Sequence, residues 1–320
     1  MDRASFVALE SLPEASRLMK KGPDAFLVAG GTDLLILRKN QLIQPKSILY
    51  LKTIPGLSNI RLTEEGGLGL GALVTLDAVA RDPSLMQNYP MLAQAASSVA
   101  SPQIRHKATL GGNICLDSRC WFYNRSPFWR AEYPECRKAS GGDKCYVVPS
   151  SRKGCFALQS GDTVGPLVAL RAKLRLVSSG KERILDMEDF FLRDGIHYLA
   201  LKHGEILTEI LLPPPSGKGI FIKFRPQNNL DFAAFTLSMV FSGKEKGGRI
   251  VVGSVASKPL RTRKAEILLD QGALTVDVVQ QAMKELPLVS FVRGSVEFKK
   301  QALAAYMTEV LAALRGEGTK

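Results

Sequence analysis

The sequence predicts an α+β protein of three subdomains, and three observations carry that expectation. Two Gly-Gly turns, at 30–31 and 111–112, each join short apolar runs to helical segments. Pro213-Pro214-Pro215 then punctuates the chain ahead of several β-type runs. All five cysteines fall within one 41-residue stretch, 115–155, that shows no regular period. A chain of 320 residues exceeds what one ordinary core organises, and 45% apolar with 23% charged residues is the balance of a globular protein.

Taken in order, the pattern predicts a strand over 25–28, a tight turn at Gly30-Gly31, a helix from about Thr32-Asp33 to 39 and a buried strand over 47–51. That is a compact βαβ unit. A strand over 67–72 follows, then a helix over 75–81 stopped by Asp82-Pro83, and a small-residue helix over 91–100 ended by Pro102. Residues 109–113, Thr-Leu-Gly-Gly-Asn, form the second Gly-Gly turn. Beyond the cysteines, 163–170 reads as a helix, with 173–177 and 182–185 as paired strands. Runs over 220–224, 232–241 and 249–255 suggest an antiparallel sheet, and helices start near Arg263, Thr275 and Ser295.

The net charge of +13 is spread in ones and twos without an aromatic-interleaved stripe, which argues against a nucleic-acid face and suits acidic protein partners. The first twenty residues mix apolar and charged positions rather than forming a signal peptide, and no 18 apolar residues run together. The expectation is a cytoplasmic protein with no membrane association.

Glycine lets a backbone approach a ligand with no Cβ in the way, and a helix N-terminus beyond it offers amides and a positive dipole end to a phosphate. Two such turns suit the two phosphates of a dinucleotide, although neither fits GxGxxG or a P-loop. The cysteines need a common cause. A loop of about 40 residues is long for a compact domain and asks to be ordered by something. Four thiolates suit an iron–sulfur cube, zinc or disulfides. No CxxC knuckle is present, and His106, His197 and His203 all lie outside the stretch. The residues alone leave these alternatives open.

Val28-Ala-Gly-Gly-Thr-Asp-Leu34, Gly71-Ala-Leu-Val-Thr75 and Gln103-Ile-Arg-His-Lys-Ala-Thr-Leu-Gly-Gly-Asn113 together resemble the FAD-binding subunit of the xanthine dehydrogenase and carbon monoxide dehydrogenase family. Gly204 to Pro213, Lys223-Phe-Arg with Asp231, and Val252 to Pro259 extend the resemblance over nearly the whole chain. It implies a PCMH-type FAD-binding unit of two subdomains, a βαβ subdomain at 1–55 and a second at 56–215, followed by a C-terminal sheet-and-helix subdomain at 216–320. By the same resemblance, Leu27, Val28, Ala29, Gly30, Gly31, Thr32, Asp33 and Leu34 hold the FAD pyrophosphate and ribityl, together with Thr109, Leu110, Gly111, Gly112 and Asn113. Asp162, with Pro166, matches an Asp-x-x-Pro element that contacts or supports FAD, and Val99, Leu207 and Lys223 line the flavin.

The departure from the family is the distance from Asn113 to Asp162, 49 positions where relatives pass much faster. An insertion at about 115–158 holds every cysteine, and in this it resembles the FAD subunit of 4-hydroxybenzoyl-CoA reductase, which carries an added [4Fe–4S] cluster. The ligands so implied are Cys120, Cys136, Cys145 and Cys155, spaced by 16, 9 and 10 residues. Cys115, beside the second turn, is the spare. Trp121, Phe122, Tyr123, Phe128 and Trp129 are expected to form a dry shell around the cluster. The resemblance further implies a molybdopterin-binding large subunit, a small subunit with two [2Fe–2S] clusters and a ferredoxin-like electron donor.

Overall fold

A computed structural model describes residues 3–225, 227, 230–241, 247–289 and 294–315. Three sheets organise the chain. The first has β1 (Ser5–Ala8), β2 (Ala25–Val28) and β3 (Ser47–Tyr50) in the order β1-β3-β2, all parallel, with both outer strands in register with β3. Helix α1 (Leu12–Met19) leads into β2, and α2 (Leu34–Lys39) joins β2 to β3. The expected βαβ unit is present as β2-α2-β3. Strand β1 and helix α1 were not expected from the sequence, although α1 is amphipathic and packs Leu12, Leu18 and Met19 on the core beneath the first sheet. Ser11 caps α1 by accepting from the Glu14 amide at 3.4 Å, and Ala15 is buried beside Leu9 and Leu49.

The second sheet is antiparallel and five-stranded: β4 (Ile60–Leu62), β5 (Leu68–Gly71), β6 (Lys173–Ser178), β7 (Lys181–Asp186) and β8 (Ile206–Leu212), in the order β4-β5-β8-β6-β7. Between β5 and β6 run α3 (Leu76–Arg81), α4 (Pro83–Asn88), α5 (Pro90–Ser97), α6 (Pro102–Arg105) and α7 (Leu110–Ile114), then α8 (Pro127–Arg130) and α9 (Arg137–Ser140) in the cysteine stretch, then α10 (Val164–Ala169). Asp82-Pro83 ends α3 as expected but also starts α4. The Asp82 carboxylate accepts from the Leu85 amide at 3.0 Å, while Pro83, which has no amide to leave unpaired, takes the first turn. Leu70, Leu76, Leu92, Leu167, Leu174 and Phe190 are fully buried in the core between sheet and helices.

The third sheet, β12-β11-β10-β9, is antiparallel, with β9 (Lys218–Phe224), β10 (Phe235–Phe241), β11 (Arg249–Gly253) and β12 (Leu260–Arg261). Helices α11 (Arg263–Asp270), α12 (Thr275–Glu285) and α13 (Val296–Arg315) cover it through Leu237, Met239, Leu303 and Met307. The strand expected from 232 begins at Phe235. Among the described residues no helix is long and apolar enough to cross a membrane.

The cysteine stretch is held by side chains more than by ladders. The Arg119 and Leu158 backbones exchange hydrogen bonds of 2.8 and 2.7 Å and close its ends. Arg137 donates to the carbonyls of Gly154 and Ser151, at 2.8 and 3.1 Å. Arg130 donates to those of Asn40 and Gln41, at 2.9 and 3.1 Å. These guanidinium bonds satisfy loop carbonyls that would otherwise go unpaired.

Candidate functional site

A cleft of about 950 Å³ opens between the first two sheets and is closed by β9 and the 230–232 segment. That is the upper range for a single ligand pocket and suits a dinucleotide. Leu27, Val28, Ala29, Gly30, Gly31, Thr32, Asp33 and Leu34 line one side, and Thr109, Gly111, Gly112 and Asn113 the other. Val99, Asp162, Leu207 and Lys223 complete the wall. Leu110 does not reach the cleft. It is fully buried in the core between the second sheet and its helices, and its amide donates to the Val74 carbonyl at 2.8 Å.

The two Gly-Gly turns differ in what their amides do. Among the described residues no protein oxygen accepts from the amides of Gly30, Gly31, Thr32 or Asp33. Successive free amides of this kind form an anion-binding concavity. Gly31 stands at φ +70°, which glycine adopts without strain. A Cβ on Gly30 would lie 2.1 Å from the Lys107 carbonyl oxygen, so glycine here lets the two turns touch.

In the second turn the amides are spent internally. Gly111 donates to the Ala72 carbonyl at 2.8 Å, Gly112 to the Thr109 hydroxyl at 3.1 Å and Asn113 to the Thr109 carbonyl at 2.9 Å. The Asn113 side-chain oxygen accepts from the Thr163 amide and hydroxyl at 3.1 and 2.7 Å, fixing the loop that carries Asp162. Only Gly112 presents an open, bare backbone surface to the cleft.

The remaining wall is charged but neutralised. Lys223 donates to Asp162 at 2.5 Å and to the Ser98 carbonyl at 3.0 Å, with both side chains of the pair buried. Burial raises the Asp162 carboxyl above its ordinary range, and Lys223 opposes that shift. Asp33, at the start of α2, forms no side-chain cap and pairs with Arg119 instead. Its carboxyl too is raised by burial, with Arg119 pulling the other way. Ala100, on the rim, holds a left-handed φ of +41° beside Val99, whose carbonyl accepts from Arg105 at 2.8 Å. Sequence reasoning missed Arg119, Asp117, Lys138 and Tyr198, all of which line the cleft. Arg119, Asp117 and Tyr198 reach it from loops and Lys138 from the one-turn helix α9, which is too short to show a period, so no sequence signal marked them.

Beside the cleft lies a second, small cavity lined by Cys120, Cys136, Cys145 and Cys155, together with Phe122, Tyr123, Lys138 and Tyr146. All four thiols are free and at most 9% exposed. Burial raises the thiols of Cys120 and Cys155, the latter to about 11. Cys115 stands apart, half-buried on the cleft wall, and burial of its thiol pushes it up to about 12. The space between the four thiols, about 10 Å³, admits about one water-sized sphere. A four-iron cube therefore enters only if their loops move outward. Among the described residues no three His, Cys, Asp or Glu side chains are arranged to hold a single metal ion. Thiolates around one tetrahedral zinc would stand only about 3.8 Å apart.

The expected dry aromatic shell is half wrong. Trp121, Phe128 and Trp129 are 47, 77 and 57% exposed. The ring cluster at the cavity is instead Phe122 with Tyr133 and Tyr146, at centroid distances of 4.8 to 5.5 Å. Sequence adjacency to Cys120 misled here: Phe122 and Tyr123 line the cavity, whereas Trp121, Phe128 and Trp129 face solvent.

Residues 3–215 match the family model described as the FAD binding domain in molybdopterin dehydrogenase. The chain is 31% identical over 271 residues to the aldehyde oxidoreductase FAD-binding subunit PaoB of Escherichia coli (strain K12), covering 82% of this chain and 85% of that one. It is 27% identical over 282 residues to the carbon monoxide dehydrogenase medium chain of Afipia carboxidovorans, covering 86% and 82%. In fold it superposes on carbon monoxide dehydrogenase from Hydrogenophaga pseudoflava with a TM-score of 0.78 at 24% identity, over 99% of both chains. The free amides of the first turn, the glycine contact between turns and the dinucleotide-sized cleft all fit that assignment. The chain belongs to the family of FAD-binding subunits of molybdenum hydroxylases.

Proposed function

We propose that this chain is the electron-relay subunit of a molybdenum hydroxylase-type complex, carrying FAD in the cleft and a [4Fe–4S] cluster in the cysteine stretch. Its counterpart in this reading is the FAD subunit of 4-hydroxybenzoyl-CoA reductase, with reductive removal of a ring hydroxyl as the net reaction. The molybdenum site and two [2Fe–2S] clusters then belong to sibling large and small subunits, and a ferredoxin-like protein is the electron donor. The net charge of +13 suits an acidic donor.

FAD supplies the hydride and single-electron chemistry when bound. This chain's own residues orient it. The amides of Gly30 to Asp33 receive the pyrophosphate, Gly112 allows close approach on the opposite side, and Leu207 and Val99 exclude water from the flavin end. Lys223, fixed by Asp162 and Ser98, presents its stem to the cleft.

One observation carries the cluster reading: four cysteines far apart in sequence line one cavity, and the fifth lies outside it. A second reading is favoured by the relatives, which are named as dehydrogenase, oxidoreductase and hydroxylase subunits. In it the chain passes electrons outward to NAD or a quinone, and the thiols bind a structural metal.

Iron and acid-labile sulfide per FAD, measured on anaerobically purified chain, separate the two. The cluster reading expects about four of each. Replacing Cys120, Cys136, Cys145 or Cys155 by Ser should lose iron, and Cys115→Ser should retain it. Zinc in place of iron would overturn the relay, and iron loss in Cys115→Ser with retention in one of the other four would overturn the ligand set.

A further inference from the structure

Among the described residues, two with titratable or charged side chains line both the cleft and the cysteine cavity: Tyr123 and Lys138. Lys138 lies on α9, inside the cysteine stretch, and its side chain is 7% exposed. Its ammonium donates to Asp117 at 2.6 Å, to the Ser118 hydroxyl and carbonyl at 2.5 and 3.2 Å, and to the Gly195 carbonyl at 2.9 Å. The rings of Tyr123 and Tyr198 stand 4.7 and 5.4 Å from it. With three donors meeting four acceptors and two ring faces, the charge is immobile.

A purely architectural tie between α9 and the 117–118 and 194–195 segments would need no charge at this depth, since burying an ammonium costs more than burying a neutral donor. Asp117 offsets part of that charge, and more on the cleft side. Asp117 lines the cleft but not the cysteine cavity, whereas Lys138 lines both.

We propose that Lys138 is a fixed cation shared by the two cavities, raising the reduction potentials of the flavin on one side and of the cluster on the other. This rests on the flavin-and-cluster reading above. Each centre gains negative charge when it accepts an electron, and a fixed positive charge within the same protein wall favours that state on both sides. The cation adds no chemical step.

The test is a redox titration of the anaerobically purified protein, following flavin by visible absorbance and the cluster by EPR. The proteins compared are wild type, Lys138→Met, Lys138→Arg and Asp117→Asn. Iron is assayed first on wild type, and its absence there refutes the shared role through failure of the cluster reading. With iron present, Lys138→Met should shift both potentials negative, on the order of tenfold in the one-electron equilibrium constant, or ~59 mV. Lys138→Arg should restore them. Asp117→Asn removes the countercharge and should shift the flavin potential positive. A structural defect would not reverse sign in this way. If Lys138→Met fails to fold or loses iron, the Asp117→Asn arm decides. Unchanged potentials in a Lys138→Met protein that keeps flavin and iron would overturn the proposal, as would a flavin potential in Asp117→Asn that is unmoved or moves negative.

Discussion

The two Gly-Gly turns look interchangeable in sequence and are not interchangeable in structure. At Gly30-Gly31 four successive amides have no acceptor within the described residues. At Gly111-Gly112 the corresponding amides are bonded to Ala72, Thr109 and the turn itself. The first turn is left with free donors by its own fold, which suits it to the phosphates of the proposed ligand. The second is complete, and its work is to brace the first across the Gly30–Lys107 contact and, through Asn113 and Thr163, to hold the Asp162–Lys223 pair. Glycine is required in both, once for donor access and once for packing, and only the hydrogen-bond account tells them apart.

That contrast can be broken most forcefully at its support. Lys223→Met leaves the Asp162 carboxylate buried without its cation and should destabilise the chain by about 3–5 kcal/mol, read as a lower midpoint in urea unfolding. The double replacement Lys223→Met with Asp162→Leu should recover most of that loss. A Lys223→Met protein as stable as wild type would show that the pair does not hold the second side of the cleft.

A smaller effect on stability, but a larger one on flavin, is expected at Gly30→Ala. The added carbon meets backbone at 2.1 Å, so the turns must separate. The cost is about 1–3 kcal/mol, and FAD content after gel filtration should fall to near zero. Retention of full flavin would mean that the contact between the turns does not shape the donor array.

The smallest effect belongs to Gly112→Ala. Its Cβ would meet only the Thr109 hydroxyl, at 3.0 Å. Thermal unfolding should change by no more than about 0.5 kcal/mol, while flavin affinity measured by fluorescence titration weakens. A larger destabilisation than Gly30→Ala would reverse the roles assigned to the two turns.

Much of this was legible in the sequence because local geometry demanded it. Gly31 needs a positive φ, Asp82-Pro83 terminates one helix and starts the next, and the β-type runs of the third sheet stand clear of other signals. The grouping of the cysteines was equally plain. What was hidden is whatever depends on distant partners. Strand β8 is placed by its ladders to β5 and β6, and the Leu110 and Gly111 amides of the second turn donate to the Val74 and Ala72 carbonyls far upstream. Arg119 and Asp117 reach the site from irregular loops and Lys138 from the one-turn helix α9, where neither period nor motif marks a side chain for function. The exposed Trp121, Phe128 and Trp129 show the converse, since proximity in sequence to Cys120 is not proximity to the cavity.

The central claim is that the first turn, and not the second, donates its amides to the FAD pyrophosphate. Hydrogen–deuterium exchange of the flavin-free and FAD-loaded chain measures this directly. The amides of 30–33 should exchange rapidly without FAD and become protected with it, while those of 110–113, already bonded within the protein, should be protected in both states. New protection confined to 110–113, with 30–33 unchanged on FAD binding, would contradict the account.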